Sequence, residues 1–157
     1  MTELDHTQIS LELFNMLPKE QVDIVMRQEM CDIEPVFLGF VSTYKLLSQI
    51  IPKHFTIVDL GCAYNPQCYY FKDHKKYVGV DILTKKVFMT PNCEFYNMTI
   101  DEFIDGNIHK FNIDETFAIC NYVPVWYKLD ANKIRRSFKN LFCYYPHGGD
   151  STVPIRS

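Results

Sequence analysis

Two carboxylates and a glycine carry the clearest chemical signal in this sequence. Asp59 lies in the run Ile57-Val58-Asp59-Leu60-Gly61-Cys62-Ala63-Tyr64-Asn65-Pro66, and Asp81 follows Gly61 by twenty residues, at the end of Tyr77-Val78-Gly79-Val80. A glycine straight after an apolar run lets the backbone turn sharply and come close to a ligand. Asn65 is suited to cap, and Pro66 to open, a helix whose first N–H groups favour a negatively charged ligand group. An acidic residue ending the next strand accepts hydrogen bonds from both hydroxyls of a ribose, and in open α/β sheets ligands sit outside the carboxyl ends of the strands. Together these residues describe a pocket for a nucleoside-type ligand. Asp59 and Asp81 can also be read as plain strand-end caps, but their joint placement around Gly61 favours the pocket.

A second polar loop, Asn121-Tyr122-Val123-Pro124-Val125-Trp126, offers a polar group and aromatic walls to a reacting partner, and reads equally as turn and packing residues. The six cysteines (Cys31, Cys62, Cys68, Cys93, Cys120 and Cys143) show no CxxC spacing, and no HExxH occurs, so no metal site is expected. Several lie in or beside apolar runs, where a reduced thiol is a small hydrophobe. The five histidines are scattered, which reads as solvated surface.

These residues need a frame to hold them. Leu13, Met16 and Leu17, and past Pro18 then Val22, Val25, Met26 and Met30, recur at helical spacing, and Pro35 to Ile51 places Phe37, Phe40, Val41, Tyr44, Leu47 and Ile51 on one helical face. From Phe55 the pattern changes to short apolar runs: Phe55 to Leu60, Tyr77 to Val80, Cys93 to Asn97, Phe117 to Asn121 and Leu141 to Tyr145. Between them, Thr99-Ile100-Asp101-Glu102 is a capping box opening a helix through about Ile104, and Asp130 caps a helix from Ala131 to Lys139. Strands of about five residues alternating with helices predict parallel βαβ units. The expected fold is α/β, a doubly wound, mostly parallel, Rossmann-like sheet of about five strands with N-terminal helices. The expected organisation is one domain over 1–157: N-terminal helices over 1–51, the sheet core over 55–146 and a loose tail over 147–157.

Composition bounds what this frame can serve. A chain of 157 residues with 47% hydrophobic, 22% charged and 15% aromatic residues has the makings of one well-filled core. A net charge of -3 provides no global positive field, which tilts the reading away from nucleic acid. The polar first ten residues do not look like a secretory signal, and no apolar run is long enough for a membrane span. The expectation is a cytoplasmic protein with no membrane partner.

At this point a family resemblance becomes specific. Asp59-Leu60-Gly61-Cys62-Ala63 with the strand-terminal Asp81 resembles the first two motifs of the class I S-adenosylmethionine-dependent methyltransferases, whose loop reads GxGxG after an acidic residue. Here Ala63 and Asn65 stand at the second and third glycine positions. The GxGxxG of dinucleotide enzymes would require glycine at Ala63 and Pro66, which fits less well. The resemblance covers roughly residues 35 to 146. It implies S-adenosylmethionine as cofactor, with Asp59 and the backbone of Gly61, Cys62 and Ala63 holding its amino acid end. Asp81 would then hold the ribose, Ile82 would pack against the adenine, and Met98 and Thr99 would contact the adenine ring and its amino group. Asn121 would face the transferable methyl and the acceptor, with Tyr122 as a further polar group and Trp126 as a wall.

The family usually continues past its fifth strand with an antiparallel pair. Eleven residues after Pro146 are too few for that pair, so the expected sheet lacks it. Its fifth strand would then be an exposed edge open to a homodimer or a protein partner. The implied function is an S-adenosylmethionine-dependent methyltransferase with an unidentified acceptor. The alternative, from another class, is a non-catalytic methyltransferase-like module that binds a protein partner, as an inhibitor or regulator from a phage or mobile element would.

Overall fold

The computed structural model describes residues 12, 13, 15–20, 42–82, 88–121, 131–144 and 152–156. Its centre is a six-stranded sheet built from β1 (Thr56–Leu60), β2 (Lys76–Val80), β3 (Cys93–Tyr96), β4 (Thr116–Asn121), β5 (Asn140–Tyr144) and β6 (Thr152–Arg156). The strand order is β3-β2-β1-β4-β5-β6. The first five strands are mutually parallel, and β6 runs antiparallel to β5. This is the doubly wound, Rossmann-like α/β arrangement, with β1 and β4 in the middle and the strand order reversing between them.

Side-chain alternation assigns the two faces. Ile57, Tyr77, Phe117 and Ile119 point into one buried cluster with Tyr44, Leu47, Ile51, Phe71 and Phe88. Val58, Leu60, Val78, Val80, Ala118 and Cys120 point into the other, with Phe103, Ile104, Ile134 and Phe138. A parallel sheet buried on both faces leaves its central strands almost wholly apolar, and every residue of β1 and β4 is buried. The first face is covered by helix α1 (residues 42–50), in which Tyr44, Leu47 and Ser48 turn inward while Leu46 and Ile50 stay exposed. The second face is covered by α2 (Ile100–Asn107) and α3 (Ala131–Ser137). Thr99 opens α2 with a complete capping box: its hydroxyl accepts from the Glu102 N–H at 3.0 Å, and the Glu102 carboxylate accepts from the Thr99 N–H at 3.1 Å.

Two expectations need correction. Residues past 146 do not merely trail off: Thr152–Arg156 returns as an antiparallel edge strand, one strand where the family resemblance offers a pair. Pro154 hides that strand from a sequence reading, because proline removes a ladder donor and is tolerated only at sheet edges and bulges. The register supplies such a place: Val153 pairs with Cys143 and Arg156 with Leu141, so β6 spends one extra residue over this stretch. His74, expected at the surface, is buried; its Nε2 lies 3.0 Å from the Ile51 carbonyl and so carries the proton. Burial in turn lowers the His74 pKa. The helix expected over 22–30, the part of the next one before residue 42 and the Asp130 cap lie outside the described residues.

Gly79, in the middle of β2, is dictated by a neighbour. A Cβ there would lie 2.7 Å from Asn65 Oδ1 and 2.8 Å from Cys62 Sγ, so the loop after β1 is packed directly onto bare backbone. Gly79→Ala is therefore expected to cost about 1–3 kcal/mol of stability by overpacking. Adding Asn65→Gly, which removes the nearer contact, should recover part of the loss; chemical denaturation of the single and double variants measures both.

Candidate functional site

The sheet register brings the sequence-selected residues into one row. Leu60 pairs with Val80 and Val80 with Tyr96, so one step further along the chain places Gly61, Asp81 and Asn97 level across β1, β2 and β3. Asp59 pairs with Ile119, so two steps further place Asn121 of β4 level with Gly61. All four positions lie at the carboxyl ends of parallel strands, and Gly61 and Asn121 flank the point where the strand order reverses, the ligand position of this architecture.

The loop after β1 is held open by left-handed backbone. Gly61, Ala63 and Asn65 have φ of 79°, 54° and 72°. The alternation of these three residues answers the GxGxG spacing: the two non-glycine residues adopt the conformation that glycine adopts freely, asparagine with less strain than most and alanine at a cost of about 1–2 kcal/mol. The strain is compensated by hydrogen bonds. Gly61 and Cys62 donate their N–H groups to the Val80 carbonyl at 2.7 and 3.2 Å, and Ala63 donates to Asp81 Oδ2 at 2.8 Å. Asp81 is thus locked against the loop; its N–H donates to the Tyr96 carbonyl at 3.2 Å and its carbonyl accepts from Asn97 Nδ2 at 2.9 Å. Beside it, Ile82 leaves 47% of its surface exposed, an apolar side chain at the rim of the row.

Asp59 lies beneath the loop, fully buried. Tyr44 Oη donates to its Oδ1 at 3.0 Å, Gln67 Nε2 to its Oδ2 at 2.8 Å, and Tyr77 Oη to the same Oδ2. Gln67 Nε2 also donates to the Cys62 carbonyl at 2.9 Å. Asp59 therefore acts on the loop through Gln67 and is a positioning residue. Burial pushes its pKa from 3.8 up to about 6, against the pull of the Tyr77, Gln67 and Tyr44 hydrogen bonds and with a smaller push from Asp81. Burial and the nearby carboxylate likewise hold the Tyr44 and Tyr77 phenols well above their usual range. Sequence reasoning placed Tyr44 in the core and missed Gln67. The available signal was polar atoms on inward positions, which need a buried partner.

The helix after the loop differs from expectation. It is a 3-10 helix, Pro66–Phe71, with Pro66 at its start. Asn65 gives it no side-chain cap; instead Asn65 Nδ2 donates inward to the Phe88 carbonyl at 3.1 Å. Met98 is half-buried against the second core cluster, with Asn107 Nδ2 3.5 Å from its sulfur, and the Thr99 hydroxyl accepts the bond that caps α2. Tyr122 and Trp126 lie outside the described residues.

Asn121 stands apart from all of these. It is 2% exposed at the end of β4, and among the described residues neither Oδ1 nor Nδ2 has a hydrogen-bond partner. An orphaned buried amide costs about 1–3 kcal/mol per unmet group, so this position calls for a partner that the described residues do not supply. Among the described residues, no group of His, Cys, Asp or Glu could hold a metal ion, and no helix is long and apolar enough to cross a membrane.

The described residues form a Rossmann-like α/β sheet with Gly61, Asp81, Asn97 and Asn121 level at the carboxyl ends of its parallel strands. No protein-family model matches the chain, and no curated protein matches it. Among solved structures, it is similar to a candidate methyltransferase from Streptococcus mutans determined in complex with S-adenosylhomocysteine, at 15% identity over 73% of this chain and 90% of that chain, with a TM-score of 0.40.

The Asp59 environment has a measurable signature. With its folded pKa raised to about 6 from 3.8, the folded state holds the proton more tightly than the unfolded chain. The contribution to stability is fully present below the unfolded value and is lost as pH rises through the folded one. The unfolding free energy of the wild type minus that of Asp59→Asn is expected to fall by up to about 3 kcal/mol between about pH 4 and about pH 6 and to level off above. A difference that stays flat across that window would show a carboxylate with an ordinary pKa.

Proposed function

We propose that residues 1–157 act as one cytoplasmic domain that binds S-adenosylmethionine across the carboxyl ends of β1 and β2 and directs its methyl group to an acceptor at the end of β4. The single observation that carries this reading is the buried Asn121 amide, without a partner among the described residues, level with Gly61 at the switch point beside a loop and a carboxylate already locked together. Asp81 is the group suited to the ribose hydroxyls, and the exposed Ile82 side chain offers an apolar surface to the adenine. Met98 and Thr99 complete the adenine side, with Thr99 presenting its position more than its hydroxyl, which is engaged in capping. Gly61, Cys62 and Ala63 line the amino acid end, and Asp59 holds them in place through Gln67.

Bound there, the cofactor supplies a methyl group already activated on a sulfonium. The protein's share is positioning donor and acceptor in line and excluding water. Asn121 suits that task, because an amide donates and accepts at once and so orients an acceptor. Tyr122 and Trp126 are assigned to the acceptor side with it. No residue need remove a proton unless the acceptor carries one.

A second reading, a methyltransferase-like module that binds a protein partner, is favoured by Leu46 and Ile50. These two side chains are 40% and 53% exposed one turn apart on α1.

Calorimetric titration of the full chain with S-adenosylmethionine and S-adenosylhomocysteine separates the two. The methyltransferase reading expects binding that weakens about tenfold or more in Asp81→Ala. Asp81→Asn keeps an oxygen for the Ala63 N–H and controls for loss of the loop: it should melt close to the wild type and still bind more weakly. Absence of heat with either ligand on the folded wild type overturns this reading in favour of the second.

A further inference from the structure

Three buried cysteines, Cys62, Cys68 and Cys93, gather around Asn65. Asn65 Nδ2 donates to the Phe88 carbonyl at 3.1 Å and to Cys93 Sγ at 3.2 Å. Cys68 Sγ donates to the same carbonyl at 3.6 Å, so both sulfurs meet at the Asn65–Phe88 contact, close enough for each thiol to shift the other's pKa. Cys62 Sγ packs on the Gly79 backbone close by. Cys68 comes from the 3-10 helix Pro66–Phe71 and Cys93 is the first residue of the edge strand β3, so this thiol pair spans two elements that share no backbone ladder.

We propose that Cys68 and Cys93 form an oxidisable dithiol that closes reversibly to a disulfide on meeting a hydroperoxide, tying the 3-10 helix to β3. The two sulfurs have unequal roles. Cys93 retains 8% exposure, whereas Cys68 is at 0%, which makes Cys93 the sulfur an oxidant reaches. The neighbouring Cys68 thiol and then the Asn65 amide lower the Cys93 pKa against the opposing effect of burial, while burial raises that of Cys68. In the first step the Cys93 sulfur attacks the peroxide oxygen, the O–O bond breaks, and the leaving oxygen takes the thiol proton, giving Cys93 sulfenic acid and an alcohol or water. In the second step the Cys68 sulfur attacks the Cys93 sulfur, the S–O bond breaks, and hydroxide leaves as water with the Cys68 proton. Two thiols lose two electrons in all, and one hydroperoxide gains them. The disulfide removes the thiol to which Asn65 donates, so oxidation reaches the loop that carries Ala63.

A built-in control lies across the sheet. Cys120 and Cys143 also face each other, in register on β4 and β5, but both are at 0% exposure in the second core cluster. The test is brief exposure of the reduced, folded chain to hydrogen peroxide, then denaturation, alkylation of the remaining thiols and peptide mass spectrometry. The dominant cross-link is expected to join the Cys68 and Cys93 peptides and to vanish with dithiothreitol, while Cys120 and Cys143 are recovered alkylated. In Cys68→Ser, Cys93 should stop at the sulfenic acid and be trapped by dimedone; in Cys93→Ser, Cys68 should stay reduced. Recovery of both Cys68 and Cys93 as alkylated thiols while other cysteines are oxidised, or a dominant Cys62–Cys68 cross-link, overturns the proposal. The wild-type map decides this even if a variant fails to fold, and it does not depend on cofactor binding.

Discussion

A carboxylate carried into the interior must find donors or lose its charge, and Asp59 imposes that constraint on this fold. It sits at 0% exposure on the face of β1 that α1 covers, and its donors come from three other elements: Tyr44 from α1, Tyr77 from β2 and Gln67 from the 3-10 helix. A buried charge with one partner removed is strongly destabilising, so these elements are fixed relative to β1 as a set. Gln67 then passes the constraint on to the Cys62 carbonyl. The loop's strained left-handed residues persist because the network beneath and the Asp81 carboxylate beside it over-determine their conformation.

The same geometry sorts the residues near the strand ends. Asp59, Asn65 and Gln67 turn inward and are consumed by the fold, whereas Asp81 braces the loop from the strand end, Ile82 stays exposed at the rim and Asn121 is buried at the end of β4. Asn121 is the sharpest case, a buried amide for which the described structure supplies no partner. Positions that cost a protein stability in this way cluster where a ligand completes them.

Much of this was legible in the sequence because the controlling forces are local. Apolar runs of about five residues give strands buried on both faces, and the Thr99 to Glu102 spacing gives a helix start that needs no tertiary contact. The convergence of Gly61 with Asp81 also follows, since strands in a parallel pair end side by side. What was not legible depends on distant partners. Nothing near Gln67 marks it as a partner of Asp59, and nothing near His74 announces that the Ile51 carbonyl, just past α1, will accept its proton. β6 was hidden by Pro154, whose cost is removed only because the strand lies at an edge with an irregular register. Asn65 stands where the resembling loop has glycine, and it adopts a left-handed φ of 72°, a conformation that asparagine tolerates better than most residues.

The central claim is that the loop after β1, the carboxylate ending β2 and the amide ending β4 face one ligand. Amide NMR during titration with S-adenosylhomocysteine tests it residue by residue. The account predicts shifts concentrated at Gly61 to Ala63, at Asp81 and Ile82 and at the Asn121 side-chain NH2, with Lys76 and Asn140 at the opposite ends of β2 and β5 unmoved. Shifts confined to other surfaces, with the Asn121 side chain and the Asp81 amide unchanged, would contradict it.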